Sequence, residues 1–235
     1  MHYNHVVRGI FKDRPNRFIA HVYVDDIMET VHVKNTGRCK ELLIPGAKVI
    51  LEKSDNPSRK TQYDLIAVYK EGLGLINMDS QAPNKVVYEW LQQEEHFKNM
   101  TYIKPECTYG ESRMDFYFEY GGRKAFMEVK GVTLEIDGVG YFPDAPTERG
   151  IKHLRELEKA VSEGYEAYLA FVIQMPGVEE VLPNAKMHKE FAKAYKEAVQ
   201  AGVKVLHLQT KIQEDAMRIS SINISDGIVD AKITS

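Results

Sequence analysis

Two carboxylates and a lysine in residues 112–131 are the side chains of this chain best spaced to do chemistry. The stretch reads Ser112-Arg-Met-Asp-Phe-Tyr-Phe-Glu-Tyr120, then Gly121-Gly122, then Arg123-Lys-Ala-Phe-Met-Glu-Val-Lys-Gly131. Both arms alternate with period two, and Gly-Gly between alternating runs signals a two-residue hairpin turn. That turn sets Tyr120 opposite Arg123. One face then pairs Met114 with Val129, Phe116 with Met127 and Phe118 with Ala125. The other pairs Glu119 with Lys124, Tyr117 with Phe126, Asp115 with Glu128 and Arg113 with Lys130. Opposed β-carbons lie roughly 4.5–5.5 Å apart, so Asp115 and Glu128 repel unless something sits between them. A hard divalent cation turns that repulsion into coordination. Lys130 follows Glu128 on the same face, roughly 6.6–6.8 Å along the strand, where its ammonium can hold a water or a scissile phosphate. The same residues also suit an edge pair splayed into solvent, with Lys130 as an ordinary salt-bridge partner. A turn one residue longer would place the two carboxylates on opposite faces.

Asp115 followed by Glu128-Val-Lys130 resembles the split signature of the PD-(D/E)XK nuclease superfamily. A wider resemblance is to the sugar fermentation stimulation protein A family, SfsA. It rests on Arg14-Pro-Asn-Arg-Phe18, His32-Val-Lys-Asn-Thr-Gly-Arg38, Arg59-Lys-Thr-Gln-Tyr63, Tyr109-Gly-Glu-Ser-Arg-Met-Asp115, Glu128-Val-Lys130 and Phe142-Pro-Asp-Ala-Pro-Thr-Glu-Arg-Gly-Ile-Lys-His-Leu154. These words run in order over nearly the whole chain, to about residue 209; Lys211–Ser235 carries none. The resemblance implies an OB-fold-like barrel followed by a PD-(D/E)XK nuclease-like domain. It also gives weight to Asp144 and Arg149. Nuclease relatives often draw another acidic group from the first helix, which here offers Glu89; Glu106 is a rival.

Charge argues against a strong nucleic-acid footprint. Residues 1–82 hold 12 Lys and Arg against 10 Asp and Glu, and the remainder 19 against 24, for −3 overall. High-affinity DNA-binding domains are far more basic. The basic residues of the first part do come in groups: Lys12/Arg14/Arg17, Lys34/Arg38/Lys40 and Arg59/Lys60. Cys39 and Cys107 stand alone, without disulfide or zinc spacing. No apolar run approaches membrane-spanning length and the N-terminus lacks a signal peptide's apolar stretch, so a cytoplasmic protein away from membranes is expected.

Residues 1–82 predict a β-rich domain. Phe18–Val24, Thr30–Val33, Lys48–Leu51, Leu65–Tyr69 and Gly74–Met78 read as five short strands, the count of an OB-fold barrel. Asp79–Asn84 marks a boundary, with Asn84 as N-cap of a helix over 85–95. Residues 83–235 predict an α/β domain of mixed sheet: that helix, the hairpin, a helix over 147–163, strand Tyr168–Ile173, a helix over 187–201 and strand Val203–Leu208. The second helix packs Ile151, Leu154, Leu157 and Val161, with Thr147 capping its start and Gly164 its end. Opposite that stripe lie Arg149, Lys152, His153 and Glu156. Gln174 reads as a strand-terminal hydrogen bonder, and Ser221–Val229 as an appended Asp-Gly hairpin.

Two readings follow. In one, the protein is a Mg²⁺- or Mn²⁺-dependent DNA phosphodiesterase. Asp115, Glu128 and the Val129 carbonyl bind the cation, Lys130 orients water and stabilises charge on the phosphate, and barrel cations Arg14, Arg17, Arg38, Arg59 and Lys60 hold substrate backbone with Arg149 and Lys152. In the other, which the family name implies, it is a non-catalytic DNA-binding regulator of sugar (maltose) utilisation genes. A carbohydrate enzyme fits less well, because it gives the adjacent lysine no role.

Overall fold

The computed structural model describes residues 1–35, 37–93 and 96–225. Six strands come first: β1 (Val6–Asn16), β2 (Ile19–Val24), β3 (Ile27–Val33), β4 (Lys48–Lys53), β5 (Tyr63–Lys70) and β6 (Gly74–Asn77). They pair in the order β3-β2-β1-β4-β5-β6, and His32 beside Asp64 and Val33 beside Leu65 join β3 to β5. Five strands therefore close into the N-terminal OB barrel. β6 is an appendage to β5 rather than the fifth barrel strand the sequence predicts there. The fifth strand is β1, whose alternation is broken by Gly9, Lys12, Arg14 and Pro15. Gly9 answers to close packing: a β-carbon on it would lie 2.5 Å from Val22 Cγ1.

The second part contains α1 (Ala82–Leu91), β7 (Met100–Tyr109), β8 (Ser112–Tyr120), β9 (Arg123–Val132), β10 (Leu134–Ile136), β11 (Val139–Phe142), α2 (Glu148–Ser162), β12 (Glu166–Ile173), β13 (Val181–Pro183), α3 (Lys189–Gln200), β14 (Lys204–Gln213) and β15 (Ala216–Ser225). Its main sheet is mixed, in the order β15-β14-β12-β9-β8-β7, and β10-β11-β13 make a small second sheet. β12 runs parallel to both neighbours, β9 and β14. Residues Ala167–Ile173 are all buried, as a strand covered on both faces must be. Leu154, Leu157, Phe191 and Ala194 of α2 and α3 lie on one side of this sheet and Val86, Val87 and Trp90 of α1 on the other.

Helix α2 forms where its caps and stripe place it. Thr147 Oγ1 accepts the Gly150 N–H at 3.0 Å, Gly164 past the end has φ +88°, and Leu154 and Leu157 are buried. Two other boundaries differ from expectation. Helix α1 begins at Ala82 with Gln81 at its N-cap, because Pro83 is well tolerated in a first turn. Helix α3 begins at Lys189 after His188. Strand β7 has no sequence signal: it is exposed over most of its length, and its Pro105 is tolerated because the strand lies at an edge. Ser221–Ser225, predicted as one arm of an Asp-Gly hairpin, is the end of β15 and pairs with β14; the turn itself lies outside the described residues.

The two parts share a core. Met1, Tyr3, Ile50, Ile66 and Ala67 of the first pack with Val86, Trp90 and Phe116 of the second. The chain start is also tied to β15, through Met1–Met217 and Tyr3–Asp215 backbone hydrogen bonds. Both cysteines are free thiols, Cys39 buried and Cys107 half-buried. No helix among the described residues is long and apolar enough to cross a membrane.

Candidate metal centre

Strands β8 and β9 pair from Tyr120–Arg123 to Phe116–Met127, in the register set by Gly121-Gly122. Both glycines have positive φ, 51° and 77°, as this turn requires. The ladder ends one residue before the carboxylates. Asp115 and Glu128 are not direct ladder partners, which corrects the simple continuation of the hairpin. Asp115 instead turns its Oδ2 into the gap and accepts the Val129 N–H at 2.8 Å. Met114 changes sides as a result. It packs with Phe126, Leu154 and Leu157, and not with Met127 and Val129.

Asp115 is held on its other side by Asn84, whose Nδ2 donates to Oδ1 at 2.8 Å. Asn84 thus serves the site from inside the first turn of α1 and caps nothing. Glu128 is 2% exposed. Its Oε1 accepts Lys130 Nζ at 2.5 Å and also meets Nδ1 of buried His153 on α2. Arg149, one turn earlier, donates Nε to His153 Nε2 at 3.4 Å. Glu128 Oε2 is buried and has no hydrogen-bond partner.

Burial raises the Asp115 carboxyl above its ordinary 3.8, and the neighbouring Glu128 charge raises it further; the Val129 amide, Lys130 and Asn84 pull the other way and lose. Burial acts to raise Glu128 as well. There Lys130 and His153 win and hold it below its ordinary 4.5. Two acids in one small space are thereby pushed apart in pKa.

The orphaned Glu128 oxygen and the raised Asp115 carboxyl both fit a divalent cation, since an acceptor buried without a donor costs about 1–3 kcal/mol or more. Among the described residues no group of three or more His, Cys, Asp or Glu side chains forms a metal cage. Two carboxylates completed by backbone carbonyl, water and substrate match the coordination Mg²⁺ favours.

Comparison with known proteins places the chain in a family. Residues 81–216 match the sugar fermentation stimulation protein RE domain and residues 13–78 the SfsA N-terminal OB domain. Sugar fermentation stimulation protein homologs of Ruminiclostridium cellulolyticum and Clostridium beijerinckii are 53% and 54% identical, over 93% and 96% of this chain and 96% and 97% of theirs. The chain belongs to the SfsA family. A solved structure of Pyrococcus furiosus SfsA in complex with Ca²⁺ is 28% identical, covers 94% of this chain and 96% of its own, and superposes with a TM-score of 0.83.

Within the chain the remaining candidates divide. Glu89 is not brought to Asp115: its Oε2 takes the Met1 ammonium at 2.6 Å. Glu106 pairs with Arg113 on the exposed side of β7. Lys152 turns away to Glu111, donating to its carbonyl at 2.9 Å, whereas Arg149 reaches the centre through His153. In the barrel, Arg14, Arg17 and Arg38 line a pocket of about 440 Å³ with Lys12 and Lys40. Arg14 spends its terminal nitrogens on the carbonyls of Arg17, Asn35, Gly37 and Arg38, at 2.6–2.9 Å, so it holds the loop rather than standing free. Arg59 grips buried Asp64 with two hydrogen bonds, of 2.9 and 2.6 Å. Arg17, Arg38 and Lys60 are exposed.

Sequence reasoning assigned no role to His153 or Asn84 at this centre. His153 sits on the polar side of α2 by periodicity, one turn after Arg149, and only the packing of α2 on β9 shows that this side is buried against a glutamate. Asn84 carried a capping signal that Gln81 pre-empts. Gln174 behaves as the sequence suggests, donating to Asn77 Oδ1 and the Asp79 carbonyl at 3.0 and 3.1 Å.

Proposed function

We propose that this protein is a Mg²⁺- or Mn²⁺-dependent nuclease acting on DNA phosphodiesters. The observation that carries the reading is the parted hairpin end, where a pKa-raised aspartate and a buried glutamate with one orphaned oxygen stand beside a lysine. The Ca²⁺ complex of the Pyrococcus furiosus relative supports a hard-cation site in this fold. Asp115, Glu128 and the Val129 carbonyl would hold the ion, which when bound supplies positive charge against the phosphate oxygens. Lys130 orients the attacking water and neutralises charge growing on the phosphate. His153 keeps Glu128 ionised and in place, and Arg149 beside it faces solvent where a phosphate can reach it. Arg17, Arg38 and Lys60 hold the DNA backbone on the barrel.

The test is cleavage of labelled DNA with Mg²⁺, with Mn²⁺ and with EDTA. Activity surviving in EDTA defeats the reading. A second reading, a DNA-binding regulator without turnover, draws on the lack of a third acidic or imidazole ligand among the described residues. It predicts DNA binding with no cleavage under any ion.

A further inference from the structure

Between the barrel and the sheet domain lies a groove of about 300 Å³ that none of these assignments uses. It begins at Gly131, the residue after Lys130, and runs past Thr133 toward Tyr141, Asp144 and the end of β12 at Gln174, with Gly37 of the barrel closing the near wall. Thr133 is about 10 Å along the strand from Lys130, so the groove receives whatever flanks a phosphate held there.

Its fixed hydrogen-bonding groups are acceptors. Gln174 is 2% exposed, and both amide donors are engaged by Asn77 and Asp79, which fixes the orientation of its amide. Its Oε1 is turned to Gly131, where a β-carbon would stand 2.3 Å away, and it accepts no hydrogen bond among the described residues. Asp144 is similar: its carboxylate makes no hydrogen bond among the described residues, and Oδ2 would lie 2.7 Å from a β-carbon on Gly37. Two nearby donors are spent, Asn35 Nδ2 on the Met78 carbonyl and Ser80 Oγ on the Lys34 carbonyl, each at 2.9 Å. The Thr133 and Tyr141 hydroxyls, also in the lining, can turn to donate or accept, so the two fixed acceptors set what a ligand must bring: donors.

We propose that this groove takes one unpaired nucleobase carrying an exocyclic amine, from the strand whose phosphate sits at Lys130. The inference rests on the nuclease reading and narrows its substrate to single or displaced strands. A base whose Watson–Crick edge is paired cannot turn that edge to Asp144 and Gln174, so a base must leave the helix to enter. Cytosine and adenine present a two-hydrogen amino group to Asp144 and Gln174, whereas thymine has a single N3–H flanked by two carbonyl oxygens that the two acceptors repel. Tyr141 adds a ring against which a base can stack.

The experiment is fluorescence anisotropy with short labelled oligo-dC, oligo-dA and oligo-dT and a blunt duplex, all in Ca²⁺. Oligo-dC and oligo-dA should bind about tenfold more tightly than oligo-dT, and all three more tightly than duplex. Asp144→Asn, which keeps the shape, should narrow the gap between dC and dT. Thr133→Leu should weaken every single strand by filling the groove. Equal binding of dC and dT, duplex binding as tight as single strand, or an unchanged gap in Asp144→Asn overturns the proposal. Lys130-dependent cleavage without base preference would sink the groove alone. If no oligonucleotide is bound or cut, the nuclease reading falls and this proposal falls with it.

Discussion

Asp115 takes the place of a ladder hydrogen bond, its Oδ2 accepting the Val129 N–H at 2.8 Å where β8 and β9 part. That contact links the hairpin to its chemistry. It stops the strands from pairing further and fixes one acid beside the other, with Lys130 on the same strand as Glu128.

Removing the charged groups should stop turnover without unfolding the protein. Glu128→Ala and Lys130→Ala are each expected to lower Mg²⁺-dependent cleavage by roughly 10²–10³, the scale of losing one group that stabilises transition-state charge. Circular dichroism would confirm the fold. Cleavage persisting in both variants would place the activity elsewhere.

Asp115→Asn should separate function from stability. With its folded pKa raised above 3.8, Asp115 adds stability below that value and loses it as pH rises through the folded pKa. Neutralising it should raise the melting temperature at pH 7 in EDTA while removing stabilisation by Mg²⁺. A wild-type melt taken at falling pH should lose its Mg²⁺ response as Asp115 takes up its proton. A lower melting temperature for the variant would contradict the raised pKa.

His153→Ala should leave Glu128 short of a partner in a buried site. Breaking a buried charged contact costs about 3 kcal/mol or more. Urea denaturation at pH 7 would measure it, and a loss under about 0.5 kcal/mol would show that the contact with Glu128 is incidental.

His207 should make the fold acid-sensitive. Burial lowers its pKa from 6.5 to about 4, and its Nδ1 accepts the Val181 N–H at 3.0 Å. A depressed folded pKa contributes stability that is present above 6.5 and is lost as pH falls toward 4, on the order of 3 kcal/mol in all. His207→Asn can keep the acceptor without titrating. Its melting temperature should fall less than wild type between those pH values; parallel curves would exclude His207.

Barrel arginines should fall into two groups. Arg38→Ala and Lys60→Ala should weaken DNA binding uniformly across sequences and reduce the salt slope by about one unit per lost phosphate contact. Arg14→Ala and Arg59→Ala should instead destabilise the barrel by about 1–3 kcal/mol, because Arg14 serves the loop carbonyls and Arg59 gives buried Asp64 two hydrogen bonds, leaving it only His32 and Lys34. A stable Arg59→Ala with weakened DNA binding would reverse that division.

The sequence by itself determined what depends on neighbours along the chain. Gly121-Gly122 between alternating arms fixed the register of β8 against β9, and Thr147 with Gly164 bounded α2, since turn and cap chemistry act over a few residues. The apolar run at Tyr168–Ile173 marked a strand covered on both faces. Tertiary structure decided the rest. Only packing on β9 buries His153 against Glu128, and only closure of β3 on β5 identifies Val6–Asn16 as the barrel's missing strand. Arg14 and Arg59 look like any surface cations in sequence, yet the fold brings carbonyls and a buried aspartate within their reach. The parting at Asp115 is likewise invisible to period two, because alternation states which face a residue takes and not where a side chain displaces the backbone from its own ladder.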